Sequence, residues 1–213
     1  MIKAIIFDFD GVILESADIK TKAFKELFSG YPQKIGEIVR YHLLNAGISR
    51  YIKFQYIYDQ ILRQKLSKDT EIELEKRFSK IVLKKILRAP FVPGTAEFLN
   101  SHKNKYQFFI ASGTPEEELL SIIFARGLHR DFKEIHGSPK KKTDIIIYII
   151  DKYGFKNEEV VYIGDAQSDR IAAEEAGVVF IERRSSIDSK LESNPYIISD
   201  LFTLSEVLKK IEN

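Results

Sequence analysis

Two carboxylates stand two residues apart at the end of an apolar run: Asp8 and Asp10 follow Lys3-Ala4-Ile5-Ile6-Phe7 and precede Gly11-Val12. On an extended segment, side chains two apart point the same way, so the two acids share one face and Phe7 and Phe9 take the other. Neighbouring carboxylates repel and are costly to bury without a cation. A hard divalent ion that prefers oxygen ligands, such as Mg²⁺, resolves that cost, and Gly11 permits a tight turn away from the strand. A second apolar run, Val160–Gly164, ends in Asp165, with Asp169 four residues on. The two lie on one face if a helix begins there, completing an oxygen-rich metal pocket of Asp8, Asp10, Asp165 and Asp169. Asp169 would equally favour a helix N-terminus through the dipole.

Two polar stretches could serve an anion beside those acids. Tyr106–Ala111 is apolar and runs into Ser112-Gly113-Thr114-Pro115-Glu116-Glu117. Thr114 with Glu117 reads as a capping box and Pro115 suits a first helical position. That sets Ser112 just before a helix N-terminus, where free N–H groups attract phosphate; for Thr114, loop and cap is the better reading. Further on, Ser138-Pro139-Lys140-Lys141-Lys142-Thr143-Asp144 puts three lysines before a buried-looking helix. One of them reaching across the acidic edge would neutralise Asp8 and a bound phosphate, and spacing alone leaves open which.

The elements that must position these groups follow from the pattern of apolar runs. Short runs at 3–9, 106–111, 160–164 and 178–181, with a weaker one at 196–198, read as buried parallel strands. Helical patterns at 116–126, 144–153 and 169–176 separate them, the last stopped by Gly177. Strands alternating with helices predict an α/β fold, a doubly wound parallel sheet, with chemistry at the carboxyl ends of its strands. Residues 15–90 break the rhythm. Apolar residues recur there at helical spacing (Ile19, Ala23, Leu27; Phe54, Ile57, Ile61; Leu74, Phe78, Ile81), and Thr70 with Glu73 looks like a capping box. The stretch predicts an all-helical insertion, with a core formed by 1–14 and 91–213.

Composition bounds the rest. The 213 residues carry 33 basic and 31 acidic side chains, and 44% are hydrophobic, an ordinary globular balance. The chain has no cysteine, which excludes disulfides, thiolate metal sites and cysteine nucleophiles. No run of about 20 apolar residues reads as a membrane span, and Asp8 interrupts the N-terminal apolar run too soon for a signal peptide; a cytoplasmic protein is expected. Residues 15–90 hold 16 basic and 9 acidic residues, against 17 and 22 elsewhere. A basic insertion over an acidic core would help hold an anion beside a metal, although a solvated lysine-rich surface reads equally well. Nucleic-acid binding lacks a basic-aromatic motif.

Taken together, these residues resemble the haloacid dehalogenase-like hydrolase superfamily, chiefly its phosphatases. Four motifs occur in order: Asp8-Phe9-Asp10-Gly11-Val12; Ser112 after an apolar strand; the lysine cluster; and Gly164-Asp165-Ala166-Gln167-Ser168-Asp169. The resemblance implies a Rossmann-like core and a Mg²⁺-dependent phosphatase acting on a small phosphorylated metabolite, phosphoglycolate phosphatase-like. In it Asp8 is the nucleophile that becomes an aspartyl phosphate, and Asp10 is the acid and base. Asp8, the Asp10 carbonyl and Asp165 hold the metal, with Asp169 ligating or supporting. Ser112, Gly113 and a lysine hold the phosphoryl group. Many relatives carry Lys-Pro-x-Pro-Asp at the third motif, which would select Lys140. Others carry Gly-Ser-Pro, two residues, then the lysine, which selects Lys142; Gly137-Ser138-Pro139 favours Lys142, with Lys140 second.

The helical insertion occupies the place of the family's cap, which closes over the site and chooses the substrate. Glu15 and Ser16 are expected at one hinge and Ala89–Pro93 at the other. Arg40, His42, Arg50 and Lys53 are the candidates to touch the leaving group. A phosphosugar mutase and a phosphonate hydrolase using a cap lysine, such as Lys20, Lys22 or Lys25, remain alternatives within the family. A receiver-like phospho-aspartate module is a distant one, without a helical cap.

Overall fold

The computed structural model describes residues 1–185 and 194–212. Its central element is β1 (Ala4–Phe7), buried along its whole length. Alternate β1 side chains enter opposite layers, as a pleated strand demands: Ile5 and Phe7 join one apolar cluster, Ala4 and Ile6 the other. β2 (Gln107–Pro115), β3 (Glu134–Ser138), β4 (Val160–Gly164), β5 (Val179–Arg183) and the short β6 (Ile197–Ile198) complete the sheet. The order is β3-β2-β1-β4-β5-β6 with every pairing parallel. This is the expected doubly wound α/β arrangement. The order reverses at β1, and in such sheets the crevice for ligands lies at the carboxyl ends beside that reversal.

Helices cover both faces. α7 (Lys142–Tyr153) and α8 (Gln167–Ala176) bury Ile145, Ile146, Ile149, Ala172 and Ala173 on one side. α5 (Thr95–His102), α6 (Glu116–Ala125) and α9 (Leu204–Glu212) cover the other. Between β1 and β2 the chain is helical: α1 (Ala17–Leu27), α2 (Ile35–Leu44), α3 (Arg50–Tyr56) with a π-helical continuation over Ile57–Leu62, and α4 (Lys68–Ile86). Their faces meet on an aromatic cluster in which the Phe24, Phe54 and Phe78 ring centroids lie 4.9–6.2 Å apart. The chain leaves the sheet and returns to it side by side, since Val92 N donates to Ile13 O at 3.0 Å and Glu15 N to Pro90 O at 3.0 Å.

Several local expectations are corrected. β3 was not legible: Glu134-Ile135-His136-Gly137-Ser138 has one large apolar residue, as an edge strand with one partner can afford. α5 and α9 lie outside the helical patterns predicted above, whereas α2 falls within the all-helical 15–90 stretch. α4 starts at Lys68 and is capped by Ser67, whose Oγ accepts from Thr70 N at 3.2 Å, so Thr70 lies within the helix rather than capping it. β2 runs on past Ala111 through a register shift to Pro115. Ser112 therefore lies in an irregular strand end, four residues ahead of α6, rather than just before the helix N-terminus. Among the described residues, no helix is long and apolar enough to cross a membrane.

Candidate active site

Register alone gathers the acids. Phe7 pairs with Ile110 and with Ile163, so Asp8, the Ala111-Ser112 step and the Gly164-Asp165 step arrive at one level of the sheet edge. Asp8 N donates to Ile163 O at 2.8 Å. The chain then turns at Gly11, whose φ is +80°, a backbone region costly for other residues. A Cβ there would lie 1.9 Å from Asp165 Oδ2, so the turn also makes room for the second acid.

Asp8 is 2% exposed. Phe9 N donates to its Oδ1 at 2.7 Å, and Lys142 Nζ to its Oδ2 at 2.9 Å. The same ammonium donates to Asp169 Oδ1 at 2.5 Å. Asp169 is fully buried, with Tyr162 OH donating to Oδ1 at 2.7 Å and Ala166 N to Oδ2 at 3.1 Å. It thus caps α8 and anchors Lys142 at once. Burial, then the charges of Asp169 and Asp10, raise the Asp8 carboxyl to about 7 against the pull of Lys142. Burial works against the charge of Lys142, but Asp169 and Asp8 outweigh it and hold the ammonium more strongly protonated than usual. Tyr162, aimed at Asp169 from within β4, was not singled out in the sequence, where it reads as one more apolar strand residue.

Asp10 has a separate set of partners. Ser16 Oγ donates to Oδ1 at 2.6 Å, Thr114 Oγ1 to Oδ2 at 2.8 Å, and Lys20 Nζ contacts Oδ2 while lying 2.7 Å from Thr114 Oγ1. Burial pushes the Asp10 carboxyl up, but Lys20, Ser16 and Thr114 together bring it below its ordinary value. Thr114 is therefore not a helix cap; its hydroxyl is spent on Asp10, because β2 overruns the point where the capping box would form. Lys20 is one of several lysines on α1, and only its spacing of four from Ser16 hinted at the shared face.

Asp8, Asp165 and Asp169 each present a carboxylate oxygen, and these lie within 4.8 Å of one another. Asp165 is half-buried and faces the cavity, and its carboxyl is raised well above the usual range by burial and by Asp169 and Asp8. A compact, all-oxygen acidic set suits a hard divalent cation. Asp169 already accepts from Lys142, Tyr162 and Ala166, which leaves its Oδ2 with a free acceptor site toward such an ion. The Asp10 carboxylate is not part of this set and is held instead by Ser16, Thr114 and Lys20.

The site opens into a cavity of about 150 Å³ between the sheet edge and the helical insertion. Ser112 and Gly113 line it beside Asp8 and Asp10; Lys20, His42 and Lys53 line it from the insertion. Ser112 is buried, with its Oγ accepting from Thr114 N at 3.1 Å. The insertion comes close. A Cβ on Gly113 would lie 2.3 Å from Gly47 O, and Ser168 Oγ donates to Ala46 O at 2.8 Å.

The remaining candidates separate clearly. Lys140 is exposed, with Nζ 4.0 Å from Glu116, and does not reach the acids. Arg40 lies on the exposed side of α2, outside the cavity. Arg50 lines the cavity, but its guanidinium is committed to Glu118 of α6 (2.6 and 2.9 Å) and to Ser79 (2.8 Å). It joins insertion to core at the cavity wall. His42 and Lys53 are buried at the cavity wall.

Comparison with known proteins agrees with this geometry. Residues 5–182 match the haloacid dehalogenase-like hydrolase family profile. A phosphoglycolate phosphatase of Aliivibrio fischeri is 25% identical over 83% of this chain and 81% of its own. A phosphorylated carbohydrates phosphatase of Thermotoga maritima is 22% identical over 83% and 82%. Among solved structures, a predicted phosphoglycolate phosphatase from Haemophilus somnus superposes with a TM-score of 0.77 at 18% identity, over 97% of this chain and 98% of that one. A β-phosphoglucomutase from Clostridium difficile superposes with 0.76 at 17%, over the whole of both. With its profile match, its sheet order and its acids at the switch point, the chain belongs to the haloacid dehalogenase-like hydrolase family.

Proposed function

We propose that this phosphatase hydrolyses a small phosphorylated metabolite in two steps, through a phosphoryl group carried on Asp8, and that it requires Mg²⁺. The observation that supports this most is the buried Asp8 carboxylate, oriented by Phe9 N–H and Lys142 at the switch point of the sheet. A nucleophile must be ionised and aimed. The Phe9 and Lys142 bonds aim it, and Lys142 opposes the neighbouring charges that favour protonation.

Asp10 carries the proton. It protonates the departing oxygen in the first step and takes a proton from the attacking water in the second. Lys20, Ser16 and Thr114 hold it ionised in the free protein, and an entering ester that drew Lys20 away would raise its affinity for the proton. Ser112 and the Gly113 main chain receive the phosphoryl oxygens, and Lys142 offsets the charge gathering on them. Asp8, Asp165 and the Asp10 carbonyl would hold the Mg²⁺, with Asp169 in support; when bound, the ion would supply positive charge that favours the ionised form of Asp8 and offsets the charge of the phosphoryl oxygens. The helices of 15–90 act as the cap that excludes water during transfer.

Phosphate release from an aryl phosphate tests this, with Mg²⁺ or with chelator, in wild type and Asp8→Asn. Release that needs both the metal and Asp8 is expected. Release that survives Asp8→Asn would overturn the two-step route.

A further inference from the structure

Among the described residues, Lys20, Arg50 and Lys53 are the lysines and arginines that line the cavity, and the first two are paired with acids: Lys20 lies on Asp10 and Arg50 on Glu118. Lys142, outside that lining, lies on Asp8 and Asp169. Lys53 of α3 is only 3% exposed, yet no carboxylate among the described residues lies within 4.0 Å of its Nζ. Its neighbours are His42 Nδ1 at 3.1 Å, the His42 carbonyl oxygen at 3.5 Å and the Phe24 ring, whose centroid is 5.5 Å away. His42 cannot be the counter-ion. A neutral imidazole accepts from Lys53 at Nδ1 and donates from Nε2, where Thr21 Oγ1 waits at 3.2 Å.

A lysine taken out of water without an opposite charge is costly. Burial and the nearby charges of Lys20 and Lys142, opposed by Asp10, lower the Lys53 ammonium to about 7. A neutral leaving group would leave that cost in place; an anionic one would remove it. On the core side, Lys142, Ser112 and Gly113 already stand ready for the phosphoryl group, so Lys53 remains for the other end of the molecule. The volume of about 150 Å³ matches a cavity that holds one benzene-sized molecule, which limits the ester to a few carbons.

We propose that Lys53, oriented by His42, is the counter-ion for a second anionic group on the leaving portion of the ester, so that this protein selects short phosphorylated acids or bisphosphates over neutral phosphate esters. The proposal rests on the phosphatase reading above and names the substrate class of that site.

The test compares size-matched pairs: 2-phosphoglycolate with 2-hydroxyethyl phosphate, and propane-1,3-diol bisphosphate with 3-hydroxypropyl phosphate. kcat/KM is measured with Mg²⁺ for wild type, Lys53→Met and Lys53→Arg, with p-nitrophenyl phosphate as the check on phosphatase activity itself. Wild type is expected to prefer the charged member of at least one pair by tenfold or more. In Lys53→Met that ratio should fall about 10- to 100-fold, through KM of the charged member, and Lys53→Arg should keep most of it. The pair with the larger preference tells carboxylate from phosphate. A wild-type ratio near one, or a ratio unmoved in Lys53→Met while p-nitrophenyl phosphate is still hydrolysed, overturns the proposal and leaves the phosphatase reading standing. Should no ester be hydrolysed, that reading fails, and calorimetric binding of the same pairs to Asp8→Asn decides the subsite alone. Tighter binding of the charged member, lost in Asp8→Asn/Lys53→Met, supports it; equal binding overturns it.

Discussion

His42 offers a sharp measure of how the insertion is built. The ring is 5% exposed and stacks on Phe24 with centroids 4.2 Å apart. Burial, followed by the charges of Lys53 and Lys20, lowers its pKa to about 3. An unfolded histidine titrates near 6.5. Between those values the unfolded chain binds a proton that the folded chain refuses, so stability falls as pH falls through that window. From pH 6.5 to pH 5 the loss assigned to His42 is about 1.5 kcal/mol, at roughly 1.4 kcal/mol per unit of pH well below 6.5. Asp8 and Asp165 titrate with the opposite sign, because their folded values are raised. The diagnostic quantity is therefore the difference between wild type and His42→Phe, which keeps the stack and removes the titration. Urea unfolding in chelator at the two pH values should show the wild type losing about 1.5 kcal/mol more than the variant. The ring proton resonances of His42 should likewise stay in the neutral position at pH 5. An imidazole that titrates between pH 6 and 7, or equal losses in both proteins, would refute the electrostatics assigned to the cavity wall.

Other perturbations probe the site from different sides. Lys142→Met leaves Asp8 and Asp169 facing each other without their shared cation and should cost about 3–5 kcal/mol in urea unfolding, partly recovered by added Mg²⁺. Thr114→Val removes a hydroxyl from Asp10 and should lower kcat on an aryl phosphate about tenfold, with Thr114→Ser close to wild type. Gly47→Ala forces a side chain onto a φ of +75°, with its Cβ 2.4 Å from Ser168 Oγ and 3.1 Å from Lys142 Nζ. It should destabilise by about 1–2 kcal/mol and slow turnover; an unchanged rate would show that the insertion need not sit this close.

What was legible in the sequence had a strong local signature. Buried strands such as Ile5-Ile6-Phe7 and Val160–Ile163 are apolar on both faces, and an acid at the end of such a run stands out. Asp8, Asp165 and Asp169 could thus be named from spacing, as could the helical nature of 15–90. Other features depend on partners remote in sequence. Edge strand β3 pairs only with β2 and needs little apolar content. Thr114 obeys the pattern of a capping box, yet the pairing of Pro115 with Ser138 carries β2 past it and hands its hydroxyl to Asp10. Lys20 meets Thr114 across 94 positions, and nothing in a lysine-rich helix marks which lysine will do so. Arg50 was singled out as a possible ligand contact, but its partner Glu118 lies on α6 and takes its charge.

The paired hydrogen bonds at Ile13–Val92 and Glu15–Pro90 have a consequence for how such a chain can change. The helical segment departs and returns through one doorway, so the gap it must bridge is the width of two adjacent backbones, whatever its length. The entropy of closing a loop grows only with the logarithm of its length, so a longer or shorter segment strains the doorway little. The alignment of β1 with β2 and β4, which holds Asp8 beside Asp165, is set within the sheet. The segment is therefore a graft with one tie to the site: another helical unit could be spliced between Leu14 and Phe91 with Asp8 and Asp165 left in register, but it would have to bring its own partners for Asp10 in place of Ser16 and Lys20.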